Sequence, residues 1–211
     1  MKYELIKKSP KMIIAFLGYS FLPKSLAHLE LGEYGLGVVY EYSKLSFDKL
    51  EFSKLLGEQN YLFAFSMGVA VANRFCADFS FKKAVAMNGS NAGIDEQKGI
   101  SNTKFKASID SFDFDAFKRL CFLSELKKVN FAFNANPKAE LKMLYSYFSS
   151  EKKLGSSRIW DKMILSKKDK VFANRAVLAE NEFKNLESIN APHFGLFYYK
   201  TWEQIFEIYK C

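Results

Sequence analysis

One serine stands in the local pattern that nucleophilic catalysis requires. Ser66 follows the apolar run Tyr61–Phe65 and precedes a segment with helical spacing, Met67–Ala77. In the strand–turn–helix arrangement called a nucleophile elbow, the serine has a strained backbone, so its neighbours two positions away on either side must be small. Ala64 and Gly68 meet this requirement. The pattern predicts a nucleophile, and a serine that only caps the following helix is the alternative.

The chain has only two histidines that could act as the base for a serine nucleophile. In hydrolases with such an elbow, the catalytic residues follow along the chain in the order serine, acid, histidine. His193 lies far downstream of Ser66 and fits this order. His28 lies upstream, and we expect it on the surface of an early helix over residues 24–31. We therefore predict that His193 is the general base.

The acid that orients the histidine is expected at the carboxyl end of a strand, where ligand sites of open α/β sheets lie. Asp169 comes just after the predicted strand Met163–Ser166 and is the first candidate. Asp95, after an earlier predicted strand, is the second. Because lysines surround Asp169 in the sequence, a solvated loop charge is the alternative for this residue.

Two backbone N–H groups are candidates for an oxyanion hole. One is expected from Met67, the residue after the nucleophile, and the other from a loop early in the chain. The loop Gly18–Pro23 follows a predicted strand, and Gly18 allows the backbone to approach a substrate closely. We predict that the Tyr19 N–H is the second donor.

The elements that must position these residues predict an α/β fold with a mainly parallel sheet. Apolar runs typical of strands alternate with segments of helical spacing, as in βαβ units. Between about residues 103 and 150 two helices predict a small helical insertion within a single domain, 1–211. The predicted strands are Tyr3–Ile6, Met12–Phe16, Val38–Tyr42, Tyr61–Phe65, Lys83–Met87 and Met163–Ser166. The predicted helices are Phe47–Leu56, Met67–Ala77, Phe112–Leu126, Ala139–Ser149 and Phe197–Tyr209.

Composition excludes several classes of protein. Apolar residues make up 49% of the 211 residues and charged residues 26%, which is typical of a globular chain. Three scattered cysteines, at 76, 121 and 211, form no disulfide framework or zinc motif and favour a reducing compartment. No glycine motif for a dinucleotide or a phosphate occurs.

The apolar run Met12–Leu22 is too short to span a bilayer, so we expect a soluble, cytoplasmic monomer.

The formal net charge of +8 favours an acidic partner. Between Lys104 and Lys153 there are ten lysines or arginines against six acids, and a second basic stretch covers 152–175. For any one of these bases an ordinary solvated helix face is the alternative. Aromatic side chains among them either line a channel for an acyl chain or pack the helices on the sheet. The residues singled out are Phe112, Phe117, Lys118, Arg119, Lys127, Lys128 and Lys142.

Six short segments, spread over nearly the whole chain, resemble one family of esterases. They are Phe16–Tyr19, Val39–Tyr42, Phe65–Val69, Met87–Ser90 with Gly93–Asp95, Ser166–Phe172, and Ala191–Phe194. Each segment is weakly specific alone, but their common order is similar to that of the BioG-type pimeloyl-[acyl-carrier protein] methyl ester esterases of biotin synthesis. The resemblance implies a compact α/β-hydrolase fold, in which the helical insertion acts as a lid.

The resemblance also implies an activity, which is hydrolysis of the methyl ester on pimeloyl-acyl carrier protein to give methanol. It supports Ser66 as the nucleophile, His193 as the base and Asp169 as the acid, with no metal or cofactor. Acyl carrier proteins are acidic, so the basic helical insertion is a candidate surface for the carrier. Neither a nucleic acid nor a membrane is expected as a partner.

Two alternative functions stay open from the sequence. A thioesterase or a general carboxylesterase would use the same three residues, because pocket shape and not the nucleophile separates these activities. A non-catalytic module that binds an acyl carrier protein is the alternative from another class. Its support is that Ala64 replaces the first glycine of the usual elbow pattern.

Overall fold

The computed structural model describes residues 1–76, 78–124, 133–149, 158–180 and 182–207. These ranges form one large sheet, a separate two-stranded pair and helices between the strands. The strands are β1 Lys2–Lys7, β2 Lys11–Phe16, β3 Gly35–Tyr40, β4 Gln59–Phe65, β5 Lys83–Met87, β6 Ile159–Trp160, β7 Lys162–Ser166, β8 Glu182–Phe183 and β9 Leu186–Ile189. The α-helices are α1 Lys49–Lys54, α2 Met67–Phe75, α3 Asn102–Asp110, α4 Phe114–Phe122, α5 Pro137–Phe148, α6 Asn174–Glu180 and α7 Trp202–Phe206.

The large sheet has seven strands in the order β1-β3-β2-β4-β5-β7-β9, while β6 pairs with β8. At one edge β1 runs antiparallel to β3, and the described pairs from β3 to β9 are parallel. The parallel strands therefore end at the same edge, where the loops that follow them meet. The predicted α/β class with a mainly parallel sheet is confirmed.

The central strands are apolar because both faces of the sheet are covered. Every residue from Met12 to Phe16 in β2 is fully buried, and so is every residue from Leu62 to Phe65 in β4. Helix α2 packs against β2 and β4, and α7 packs against β5. The carboxyl ends of β2, β4, β5 and β7 lie at the predicted residues, which matters because the candidate site is built on the loops after them.

Helices α3, α4 and α5 lie between β5 and β6 in the chain, where the sequence predicts the helical insertion. The prediction missed α3, and α4 starts two residues later than the predicted helix Phe112–Leu126. The later start follows from Asp113, whose Oδ1 accepts the N–H groups of Asp115 and Ala116 at 2.8 and 3.0 Å and so caps the helix. The predicted end of that helix, at residues 125 and 126, lies outside the described residues.

Two further helix predictions are wrong in extent. In place of one helix from Phe197 onward, the chain forms a 3₁₀ turn at Gly195–Tyr198 and then α7. The predicted end of that helix, at residues 208 and 209, lies outside the described residues. Helix α7 begins directly after Thr201, which forms a capping box with Gln204. In place of an early helix over residues 24–31, a 3₁₀ turn covers Pro23–Leu26.

Candidate active site

Ser66 occupies the sharp turn between β4 and α2. Its φ of 57° and ψ of −130° lie in a region that residues other than glycine rarely adopt. The Ser66 N–H donates to the Met87 carbonyl of the neighbouring strand β5 at 2.9 Å, and the Ser66 carbonyl accepts the Val69 N–H at 3.0 Å. The hydrogen bonds and the buried strand around it hold the strained residue in place, as a nucleophile elbow requires.

Two glycines allow the backbone to close around this turn. A Cβ atom on Gly68 would lie 2.4 Å from the Phe16 carbonyl oxygen and 2.5 Å from that of Leu17, so only glycine fits. A Cβ atom on Gly18 would lie 2.8 Å from the Ser66 Cβ and 3.2 Å from its Oγ. The loop after β2 therefore touches the Ser66 side chain directly.

His193 stands between Ser66 and Asp169. Its Nε2 lies 3.0 Å from the Ser66 Oγ, and its Nδ1 lies 2.8 Å from the Asp169 Oδ2. The side chains of His193 and Asp169 are fully buried. The Phe172 ring stacks parallel to the imidazole, and the Phe65 ring packs against it with centroids 4.9 Å apart. This arrangement can take a proton from the serine and stabilise the resulting imidazolium.

The second carboxylate oxygen of Asp169 is held by its own loop. Its Oδ1 accepts the N–H groups of Val171 and Phe172 at 2.7 and 3.0 Å. The flanking lysines 167, 168 and 170 are exposed, while the Asp169 carboxylate points inward. The second candidate, Asp95, instead accepts the N–H groups of Gln97 and Lys98 in a local turn.

His28 lies outside this constellation, and its predicted position is wrong. It is half-buried after the 3₁₀ turn, and not on the surface of a helix. Its ring nitrogens lie 3.1 Å from the Ser25 carbonyl and 3.2 Å from the Leu196 carbonyl, and its ring packs against Phe197. These contacts give it a role in joining the early loop to the last part of the chain.

The backbone N–H groups of Tyr19 and Met67 are available for an oxyanion. Within the described part of the chain, neither donates a hydrogen bond. Met67 is the first residue of α2, where an N–H has no partner within the helix. Tyr19 follows Gly18, which lies against the Ser66 side chain.

Asn88 supports the site, a role that the sequence analysis did not predict, although it named the segment Met87–Ser90 that contains this residue. Its side-chain amide donates to the His193 carbonyl at 2.6 Å and to the Ser166 Oγ at 2.8 Å. Its Oδ1 accepts the Ser166 N–H at 2.8 Å. Asn88 thus ties the ends of β5 and β7 to the backbone of the candidate base. The available signal was a polar residue directly after β5, at the edge where the site forms.

A mainly apolar pocket begins at the Tyr19 side chain. The Phe117 ring of α4 lies 4.7 Å from the Tyr19 ring, centroid to centroid, and lines this pocket. The Phe112 ring packs edge-on against the Tyr19 ring, with centroids 6.2 Å apart, but Phe112 does not line the pocket. Lys104 and Lys170 contribute charged groups to the lining. The pocket can hold a chain of methylene groups with a polar group at one end.

The bases singled out in the helical insertion differ in their surroundings. Arg119 and Lys142 are exposed. Lys118 is partly covered, since its Nζ lies 3.9 Å from Asp115 and 5.9 Å from the centroid of the Phe133 ring. Lys127 and Lys128 lie outside the described residues.

Glu140 is a second residue that sequence reasoning missed. It is fully buried on α5, on the face that also carries Leu141 and Leu144. Its carboxylate accepts the Ser20 N–H at 2.9 Å, the Tyr42 N–H at 3.1 Å and the Asn134 amide at 3.1 Å. The available signal was one acid among the apolar positions of an amphipathic helix.

Burial raises the pKa of Glu140 from 4.5 to about 7, although the hydrogen bonds from Asn134, Tyr42 and Ser20 lower it. The like charge of the Glu41 carboxylate also raises the Glu140 pKa. The Glu140 carboxylate in turn raises the pKa of the Met1 ammonium, which has the opposite charge. Folded Glu140 therefore binds more protons than unfolded Glu140 between pH 4.5 and 7.

Because of this difference in proton binding, the contribution of Glu140 to the free energy of unfolding should decrease as the pH rises from 4.5 to 7. Comparing the wild type with Glu140→Gln by urea denaturation isolates the contribution, because the other titrations are shared. From pH 5 to pH 8, the unfolding free energy of the wild type should fall relative to the variant by about 1 to 3 kcal/mol. A difference that does not change with pH would contradict the raised pKa.

No described helix is long and apolar enough to cross a membrane. Nor do the described His, Cys, Asp and Glu side chains form a group of three that could hold a metal ion. The two cysteines that the structure describes, Cys76 and Cys121, are buried free thiols.

Comparisons with known proteins agree with this architecture. The family described as "Pimeloyl-ACP methyl esterase BioG" matches residues 1–205. An uncharacterized protein of Haemophilus influenzae is 29% identical over 172 residues, covering 76% of this chain and 77% of that protein. The crystal structure of BioG from H. influenzae superimposes with a TM-score of 0.82 at 22% identity, covering 98% of this chain and 100% of that one. The enol-lactonase from Burkholderia xenovorans does so with a TM-score of 0.63 at 12% identity, covering 93% and 90%.

These matches carry different information. Similarity to solved structures at such low identity shows the fold, which is that of the α/β-hydrolases. The family match extends over almost the entire chain and brings the activity class with it. The chain therefore belongs to the pimeloyl-ACP methyl esterase BioG family of biotin synthesis and is a carboxylic ester hydrolase.

Proposed function

We propose that this chain hydrolyses the methyl ester of pimeloyl-acyl carrier protein through a triad of Ser66, His193 and Asp169. The observation that carries the proposal is the continuous hydrogen-bonded path from the Ser66 Oγ through the buried imidazole to the buried Asp169 carboxylate. Membership of the BioG family supports the substrate. The products are methanol and pimeloyl-carrier protein.

The first half of the reaction forms an acyl-enzyme. The Ser66 Oγ attacks the carbonyl carbon of the methyl ester while the His193 Nε2 takes the hydroxyl proton. Asp169 accepts a hydrogen bond from the Nδ1–H, which keeps the proton-accepting nitrogen facing the serine and stabilises the imidazolium. The C–O bond to the methoxy group then breaks, and His193 returns the proton so that methanol leaves.

The second half releases the acid. A water molecule loses a proton to His193 and attacks the acyl-enzyme carbonyl, after which the Ser66 oxygen leaves and regains the proton. In both halves the developing oxyanion is met by the N–H groups of Tyr19 and Met67, which have no other acceptor among the described residues. Each such donor typically contributes about 100- to 1000-fold to the rate. No metal or cofactor takes part in this scheme.

The helical insertion has two roles in this proposal. It acts as a lid whose Phe117 lines the pocket beside Tyr19, where the apolar pimeloyl chain lies. Phe112 contributes indirectly, through its contact with Tyr19. The exposed bases Arg119 and Lys142, together with Lys118, Lys127 and Lys128, attract the acidic carrier protein. Attraction between exposed charges mainly speeds association and weakens with salt.

The test is to compare methyl-pimeloyl-carrier protein with a carrier-free thioester of the same acyl chain. We expect methanol release from both substrates, with kcat/KM for the carrier-linked ester at least about tenfold higher at low salt, because electrostatic steering raises encounter rates. That preference should shrink at 0.5 M salt. Release of a free carrier thiol in place of methanol would identify a thioesterase. Equal rates with both substrates would remove the carrier protein from the proposal.

A further inference from the structure

A buried acid on another element, Glu140, accepts a hydrogen bond from the loop that carries the Tyr19 N–H. Glu140 lies on α5, 120 residues along the chain from Ser20. Its Oε2 accepts the Ser20 N–H at 2.9 Å, one residue beyond Tyr19. Its Oε1 accepts the Tyr42 N–H at 3.1 Å, just after β3. One carboxylate therefore joins the helical insertion to two loops at the edge where the site forms.

The Tyr42 contact extends to the other end of the same loop. The Tyr42 hydroxyl donates to the Leu17 carbonyl at 2.6 Å, directly before Gly18. Glu140 thus reaches Ser20 directly and Leu17 through Tyr42. The segment Leu17–Ser20, here called the oxyanion loop, is anchored on both sides of Tyr19.

The oxyanion loop needs such anchoring because its backbone is strained. Ser20 has a φ of 69°, in the left-handed region that favours glycine. It is also 1% exposed, so an unpaired Ser20 N–H would have no water to bond. A carboxylate suits this position, since one of its oxygens accepts the Ser20 N–H and the other accepts the Tyr42 N–H.

We propose that Glu140 is a positioning residue, which aims the Tyr19 N–H at the oxyanion by holding both ends of the oxyanion loop. The inference rests on the proposed function, because it assumes that Tyr19 serves an oxyanion formed at Ser66. Burial raises the pKa of Glu140, while the Ser20 and Tyr42 N–H groups stabilise the ionised form and oppose that shift.

The test is Glu140→Gln, which keeps the size of the side chain but turns one acceptor into a donor. Either the Ser20 N–H or the Tyr42 N–H then faces an NH₂ group. We expect kcat for a p-nitrophenyl ester to fall about 10- to 100-fold with KM within twofold, because a displacement of about 1 Å at a catalytic group costs up to this much. The matched control is Glu187→Gln. Glu187 also bonds a tyrosine, Tyr199, but lies on β9 and should keep kcat within twofold.

A second variant keeps the test decisive if Glu140→Gln does not fold. Tyr42→Phe removes only the hydroxyl that bonds the Leu17 carbonyl, and we expect it to lower kcat about 3- to 10-fold at unchanged KM. Folded variants that both keep kcat within twofold would overturn the inference. So would a rise in KM at unchanged kcat, since that would place Glu140 in substrate binding.

Failure of the inference is distinguishable from failure of the proposed function. If Ser66→Ala loses activity while the two positioning variants stay fully active, the triad stands and the role of Glu140 falls. If Ser66→Ala stays active, the nucleophile itself is misassigned, and both the proposed function and the role of Glu140 fall.

Discussion

Replacing Ser66 by alanine should lower kcat for ester hydrolysis by about 10⁴-fold or more, because the reaction then has no nucleophile and keeps only the oxyanion hole and substrate binding. The Ser66 side chain is buried, and its Oγ bonds the His193 Nε2 at 3.0 Å. Methanol release from methyl-pimeloyl-carrier protein and chromophore release from a p-nitrophenyl ester should fall together.

The fold should survive this substitution. Alanine retains the Cβ that contacts Gly18, and it adopts a positive φ about as poorly as serine does, so we expect unfolding free energies within about 1 kcal/mol of each other. The matched control is Ser53→Ala on the exposed face of α1, where the hydroxyl donates to the Leu50 carbonyl. Wild-type activity in a folded Ser66→Ala protein would exclude Ser66 as the nucleophile.

Asp169→Asn should lower kcat by about 10⁴-fold through the wrong tautomer of His193. The asparagine Oδ1 still accepts the N–H groups of Val171 and Phe172, so its NH₂ group must face the His193 Nδ1. The imidazole then accepts at Nδ1 and carries its proton on Nε2. In that state Nε2 points a proton at the Ser66 Oγ and cannot act as the base.

The same substitution at Asp161 is the control. Asp161 accepts the Ala84 N–H and pairs with Lys184 at 2.7 Å, so Asp161→Asn perturbs a structural carboxylate outside the proposed triad. We expect its kcat to stay within twofold of the wild type. A folded Asp169→Asn protein that also stays within tenfold would show that His193 does not depend on this carboxylate for its tautomer.

Local features of the sequence were enough to predict the α/β class and the edge at which the site forms. Four apolar runs identified the strands whose carboxyl ends carry the candidate residues, because a strand covered on both faces has few polar positions. Ser66 was recognisable from its neighbours alone, since backbone crowding at the elbow limits the size of Ala64 and Gly68. These properties depend on residues within a few positions of each other.

Helix extents were less predictable, because caps and not periodicity decide where a helix begins. Asp113 starts α4 two residues inside the predicted helix, and Thr201 starts α7 after a break that periodicity does not reveal. His28 was misplaced because the predicted helix over residues 24–31 forms only the 3₁₀ turn Pro23–Leu26, which ends before it.

The sequence by itself therefore determined the fold class and the elbow serine from short-range patterns, and the chain order made His193 the candidate base. Only the tertiary structure decided that the Asp169 carboxylate turns inward among exposed lysines to meet His193. Only the tertiary structure brought Asn88 to the His193 carbonyl and Glu140 to the Ser20 N–H, across 105 and 120 residues of chain. The physical reason is that hydrogen bonds between buried groups join elements distant in sequence, so a single residue type gives no local sign of its partner.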